Sequence, residues 1–144
     1  MSTPPMESVV HDLVALDFPG EDMRDGVRSS GPGYHLCTLR ASQYFWERST
    51  EAWEAADAEI ETALRELTAA LTECWGVPET IELDPLQWYE PEPLSQLSQG
   101  ATVVAWYRPE AGRWVGLTTL QGDVELPIEL CVGVGEGPIP AVEP

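Results

Sequence analysis

The sequence contains no lysine and no asparagine, and all seven of its basic residues are arginine. Against 25 acidic residues they leave a formal charge of −18 at pH 7. Such a surface repels phosphate backbones and anionic lipid, which argues against nucleic-acid and membrane binding. It also speeds encounter with basic proteins, although acidity by itself serves solubility as well. Lysine and asparagine have adenine-rich codons, whereas those of arginine, alanine, glycine and proline are GC-rich, so the two absences point to a high-GC genome. No apolar run approaches the roughly 20 residues of a membrane span. Met1 to Met6 carry no basic residue and no apolar segment follows, so no signal peptide is expected and the cytoplasm is the expected location.

Catalytic and metal-binding signals are equally sparse. The three cysteines, Cys37, Cys74 and Cys131, show no C-x-x-C spacing and lie in or beside apolar stretches, so they are expected to be buried free thiols. Only His11 and His35 could serve a nucleophile as base, and no G-x-S-x-G elbow is present. His35 and Cys37 share a strand face, but zinc sites generally need a second ligand pair, so no metal is expected. Glu21-Asp22-x-x-Asp25-Gly26 lacks the spacing and closing glutamate of a calcium loop. Gly31-Pro32-Gly33 has no lysine after it to hold phosphate. The chain is therefore expected not to be an enzyme and to need no cofactor.

What is present is patterning. With 144 residues and 43% hydrophobic content the chain fits one folded domain, residues 1–144, with mobile tails at 1–5 and 135–144. Met6, Val9, Val10, Leu13, Val14 and Phe18 recur at helical steps and predict a short N-terminal helix. Residues 19–33 hold four glycines and two prolines and read as a long loop. Tyr34–Leu39 reads as a strand. The clearest element runs from Ser49 or Thr50 to Trp75. Its apolar stripe is Trp53, Ala56, Ile60, Leu64, Leu67, Leu71 and Cys74, and Gly76 and Pro78 stop it. Residues 79–84 predict a short strand. Ala101–Arg108, Arg113–Leu120 and Val124–Val134 predict an antiparallel meander, with Pro127 marking an edge or a bulge. Trp106 and Trp114 are expected to pack across the hairpin. The expected fold class is α+β, an antiparallel sheet of four to five strands against one long helix.

Leu71–Pro78 (LTECWGVP), the following ETIELDP, Arg113–Leu117 (RWVGL) and Glu125-Leu126-Pro127 resemble segments of small uncharacterised actinobacterial proteins, from which no activity carries over. In size, acidity and helix-plus-meander plan the chain is loosely similar to immunity proteins that neutralise bacterial toxins. That likeness implies an inhibitor of a basic partner.

The helix carries Glu51, Glu54, Asp57, Glu59, Glu61, Glu66 and Glu73 with Arg65 as its only cation. Asp57 and Glu61 repel one turn apart. Trp88-Tyr89 lies in an acidic, proline-rich segment that resists burial, and such aromatics serve as interface anchors. The expected function is an acidic protein-binding module, immunity-like, that docks a basic partner protein through Glu51, Glu54, Asp57, Glu61, Trp88 and Tyr89. Two alternatives are a small-molecule-binding domain using the sheet aromatics Trp106, Tyr107 and Trp114, and a secretion-chaperone-like dimer.

Overall fold

The computed structural model describes residues 5–42, 50–82, 102–121 and 126–139. In chain order the elements are α1 (Met6–Ala15), β1 (Met23–Asp25), β2 (Arg28–Gly31), β3 (Tyr34–Ala41), α2 (Thr50–Trp75), β4 (Glu79–Glu82), β5 (Thr102–Arg108), β6 (Arg113–Leu120) and β7 (Glu129–Glu136). The class is α+β as expected, but among the described residues the sheet has seven strands rather than four or five, in the order β1-β2-β3-β7-β6-β5-β4, all pairs antiparallel.

The extra strands come from the segment expected to be a loop. Asp25 pairs with Arg28 across a two-residue turn whose first residue, Gly26, has φ +62°. Gly31 pairs with Tyr34 across Pro32-Gly33, with Gly33 at φ +85°. Proline then glycine at these positions is the chemistry of a tight turn. Gly26, Pro32 and Gly33, which helped to suggest a loop, are thus hairpin corners. The strands between them are too short and polar, MRD and RSSG, to show an apolar alternation.

β7 is central, between β3 and β6, so Pro127 does not mark an edge. It stands before the first paired residue, Glu129, where its missing N–H disturbs no ladder bond. β7 includes Gly135 and Glu136, the first residues of the expected tail, and Gly137 donates its N–H to the Gly112 carbonyl. Among the described residues the edges are the short strands β1 and β4, which limits the backbone open to unwanted pairing.

Both sheet faces are buried in part. α2 lays Ala56, Ile60, Ala63, Leu67 and Leu71 over Trp106, Val115, Leu117, Leu130, Val132 and Val134, and α1 adds Val10 and Leu13. Each leucine, isoleucine or valine among them contributes about 1.5–3 kcal/mol on full burial. On the opposite face Trp114 packs with Ile81, Val103 and Ala105. A Cβ at Gly135 would collide with the Trp114 indole, so that strand position must lack a side chain. Because Trp106 pairs with Val115, and Trp114 with Tyr107, the two tryptophans expected to pack together lie on opposite faces. Among the described residues no helix is long and apolar enough to cross a membrane.

Candidate functional site

The outer face of α2 follows from its register. At 100° per residue, Glu51, Glu54 and Glu61 fall on the side away from the buried stripe of Ile60, Ala63 and Leu67, and Asp57 stands at its flank. Glu51, Glu54 and Glu61 are exposed and Asp57 is half-buried. Among the described residues no basic side chain lies within ion-pair distance of any α2 carboxylate. Arg65 Nη2 donates instead to Thr62 Oγ1 at 3.5 Å. The other two expected anchors, Trp88 and Tyr89, lie outside the described residues.

Trp53 departs from the expected core stripe. It stands at the stripe's margin and is 41% exposed. Its Nε1–H donates to Gln121 Oε1 at 3.1 Å, just past the end of β6. A large ring held by its polar tip, one residue before Glu54 and one turn before Asp57, gives the acidic face an aromatic neighbour that spacing alone assigned to the interior.

A hollow of about 910 Å³ opens on the sheet face away from the helices, near β1–β3 and the start of β7. Its lining includes Arg24, Tyr34, Thr38, Leu126, Glu129 and Cys131. Thr38 Oγ1 donates to Glu129 Oε1 at 3.3 Å, and the Tyr34 hydroxyl donates to Asp22 Oδ1 at 3.5 Å. Burial pushes the Cys131 thiol up to about 11 and raises that of Cys37, so both are poor nucleophiles at neutral pH. Trp106, Tyr107 and Trp114, the aromatics expected to cup a ligand, are not in this lining.

The two histidines differ sharply. His35 is buried, with Nε2 2.9 Å from the Leu16 carbonyl oxygen and Nδ1 2.6 Å from Ser30 Oγ. A carbonyl only accepts, so Nε2 carries the proton and Nδ1 accepts from the serine hydroxyl. Burial lowers its pKa, and the charges of Arg113 and Arg28 add to that, against the bond to Leu16. With both nitrogens engaged, His35 ties β3 to the chain after α1. Arg113 reinforces that tie: its Nη1 donates to the carbonyls of Leu13, Val14 and Leu16 at 3.3, 2.8 and 2.6 Å, with the guanidinium 3.9 Å from the Phe18 ring centre.

His11 instead sits at the surface with Glu7 and Cys74. Its Nε2 lies 3.7 Å from Glu7 Oε2, and the Cys74 thiol donates to that same oxygen at 3.5 Å. Cys74 is exposed, contrary to the expectation of three buried thiols. Local desolvation, then the hydrogen bond and charge of Glu7, raise its pKa. Spacing along the chain singled out His35 and Cys37 and left Cys74 in the apolar stripe, whereas the four-residue step from Glu7 to His11 was the available signal. Comparison of the chain with protein-family models, with curated proteins and with solved structures gave no match, so its function is argued from this geometry alone.

Proposed function

We propose that the protein is an acidic binding module that docks a basic partner protein, inhibitor- or immunity-like, on the outer face of α2. The observation that carries this reading is the row Glu51, Glu54, Asp57 and Glu61, without a cation from the described residues, beside the exposed ring of Trp53. Unneutralised carboxylates along one helix repel one another, and a basic surface would relieve that repulsion. An aromatic ring at the rim of such a patch supplies the apolar contact area that charge lacks, as interface hot spots commonly do. Trp88 and Tyr89, the aromatic pair in the acidic, proline-rich segment, are proposed as further anchors on the strength of the sequence alone.

The test is capture from native lysate with the full chain, followed by direct affinity measurement on the retained protein. A basic partner should bind at low salt and be released as salt screens the charges. Glu54→Gln, Asp57→Asn and Glu61→Gln together should weaken that binding at least tenfold, and Trp53→Ala by a similar factor. Glu79→Gln with Glu82→Gln, on the edge strand β4, should leave it unchanged. Equal binding by all variants would overturn the proposal.

The hollow beside β3 supports a second reading, a small-molecule site, because its volume and mixed polar and apolar lining suit a compact ligand. Thermal shift against a metabolite panel separates the two. A ligand held there should raise the melting temperature with little dependence on salt, and Thr38→Val should abolish the shift.

A further inference from the structure

We propose that Glu7, His11 and Cys74 form a binding site for one zinc-class divalent ion, clipping the first turns of α1 to the end of α2. The three side chains arrive from two elements. Glu7 and His11 stand four residues apart on α1, hence on one helical face, and Cys74 is the penultimate residue of α2. One ligand atom from each, Oε, Nε2 and Sγ, lies within 4.8 Å of the other two.

The spacing is close to that of a filled site. Zinc bonds of about 2.0–2.2 Å to nitrogen and oxygen and about 2.3 Å to sulfur place neighbouring ligands of a tetrahedron roughly 3.3–3.7 Å apart. Here the carboxylate oxygen is 3.7 Å from the imidazole nitrogen and 3.5 Å from the thiol sulfur. The remaining pair, imidazole nitrogen and thiol sulfur, lies within 4.8 Å. The His11 ring also meets Trp75 edge-on, centres 5.1 Å apart at 81°, which restricts its turning.

The donor set selects the ion. Thiolate and imidazole favour zinc and its soft neighbours, whereas calcium and magnesium require oxygen ligands throughout. A thiolate, a carboxylate and a neutral imidazole together neutralise a dication, and the acidic surface around them draws cations in. On binding, the Cys74 S–H bond breaks, a metal–sulfur bond forms, and one proton leaves to solvent. The exposure of His11 and Cys74 leaves room for water as the fourth ligand.

The experiment is titration of the full reduced chain with cobalt(II), read by absorption, then displacement by zinc. The wild type should take up one equivalent and develop a thiolate-to-cobalt charge-transfer band with the intense visible bands of a tetrahedral site, all lost when zinc is added. Cys74→Ser should abolish the charge-transfer band, and Glu7→Gln and His11→Gln should each weaken uptake at least tenfold. All three positions lie at the surface, so the variants should fold, which far-ultraviolet circular dichroism checks. A wild type with no charge-transfer band overturns the proposal, and so does a band that survives Cys74→Ser or an affinity left unchanged by Glu7→Gln or by His11→Gln.

Discussion

The two ends of α1, a helix of ten residues, are held by opposite kinds of chemistry. At its C-terminal end the Leu13 carbonyl accepts from the Leu16 N–H at 3.3 Å, the carbonyls of Val14 and Leu16 lie beyond the reach of a further helical turn, and no basic residue lies in its last turn. Arg113 from β6 and His35 from β3 supply the donors, with Phe18 packed against both rings of charge and imidazole. At the other end Glu7, His11 and Cys74 share one carboxylate oxygen between two partners at 3.5 and 3.7 Å, in contact with water. Saturated groups hold structure, because removing one leaves a buried partner without a bond. Groups that retain spare lone pairs at the surface cost little to change and are free for a ligand.

The largest effect should come from Arg113→Ala. Three carbonyls lose a charged donor, and denaturant unfolding should show a loss of about 2–4 kcal/mol. Arg113→Lys should recover part of it, since an ammonium reaches fewer of the carbonyls in fixed geometry. His35→Gln should cost about 1–2 kcal/mol at pH 7.5, measured the same way. It should also change the pH dependence. The folded-state pKa of His35 lies below the unfolded value near 6.5, so its contribution is complete above about pH 6.5 and is lost as pH falls toward the folded pKa. Acid also relieves repulsion among the carboxylates, so the difference between wild type and His35→Gln isolates the histidine. That difference should shrink from pH 7.5 to pH 5, by at most about 1.4 kcal/mol per pH unit. The smallest effect should be that of Cys74→Ser in metal-free buffer, within about 0.5 kcal/mol of wild type. A loss comparable to that of Arg113→Ala would show that both ends of the helix are structural.

α2 and the β5–β6 hairpin were legible in the sequence because each is specified locally. A stripe at three- and four-residue steps ending at Gly76 suffices for the helix, and VVAWYR facing RWVGLTTL across a short turn suffices for the hairpin. The β3–β7 pairing was not legible. It joins Tyr34 to Gly135, and nothing in either strand's local pattern names its partner. The margins of α2 misled for a related reason. Trp53 and Cys74 fit the stripe's spacing, but they flank the buried run from Ala56 to Leu71, and there periodicity no longer implies burial. The carboxylates of the α2 face were readable from composition. The Glu7–His11–Cys74 cluster required the packing of α1 against α2, a tertiary fact.

The central place of β7 has a consequence for how the chain acquires its fold. It is the last of the seven strands to be synthesised, yet it separates β3 from β6. Until it emerges from the ribosome, the β1–β3 ribbon and the β4–β6 ribbon have no hydrogen-bonded seam between them, and α2 has only part of the floor it packs on. Closure across about a hundred residues carries the loop entropy that slows folding of sheets with distant partners. The seam that makes one sheet of the two ribbons can therefore close only after β7 is available, in the step that seats a single strand against both.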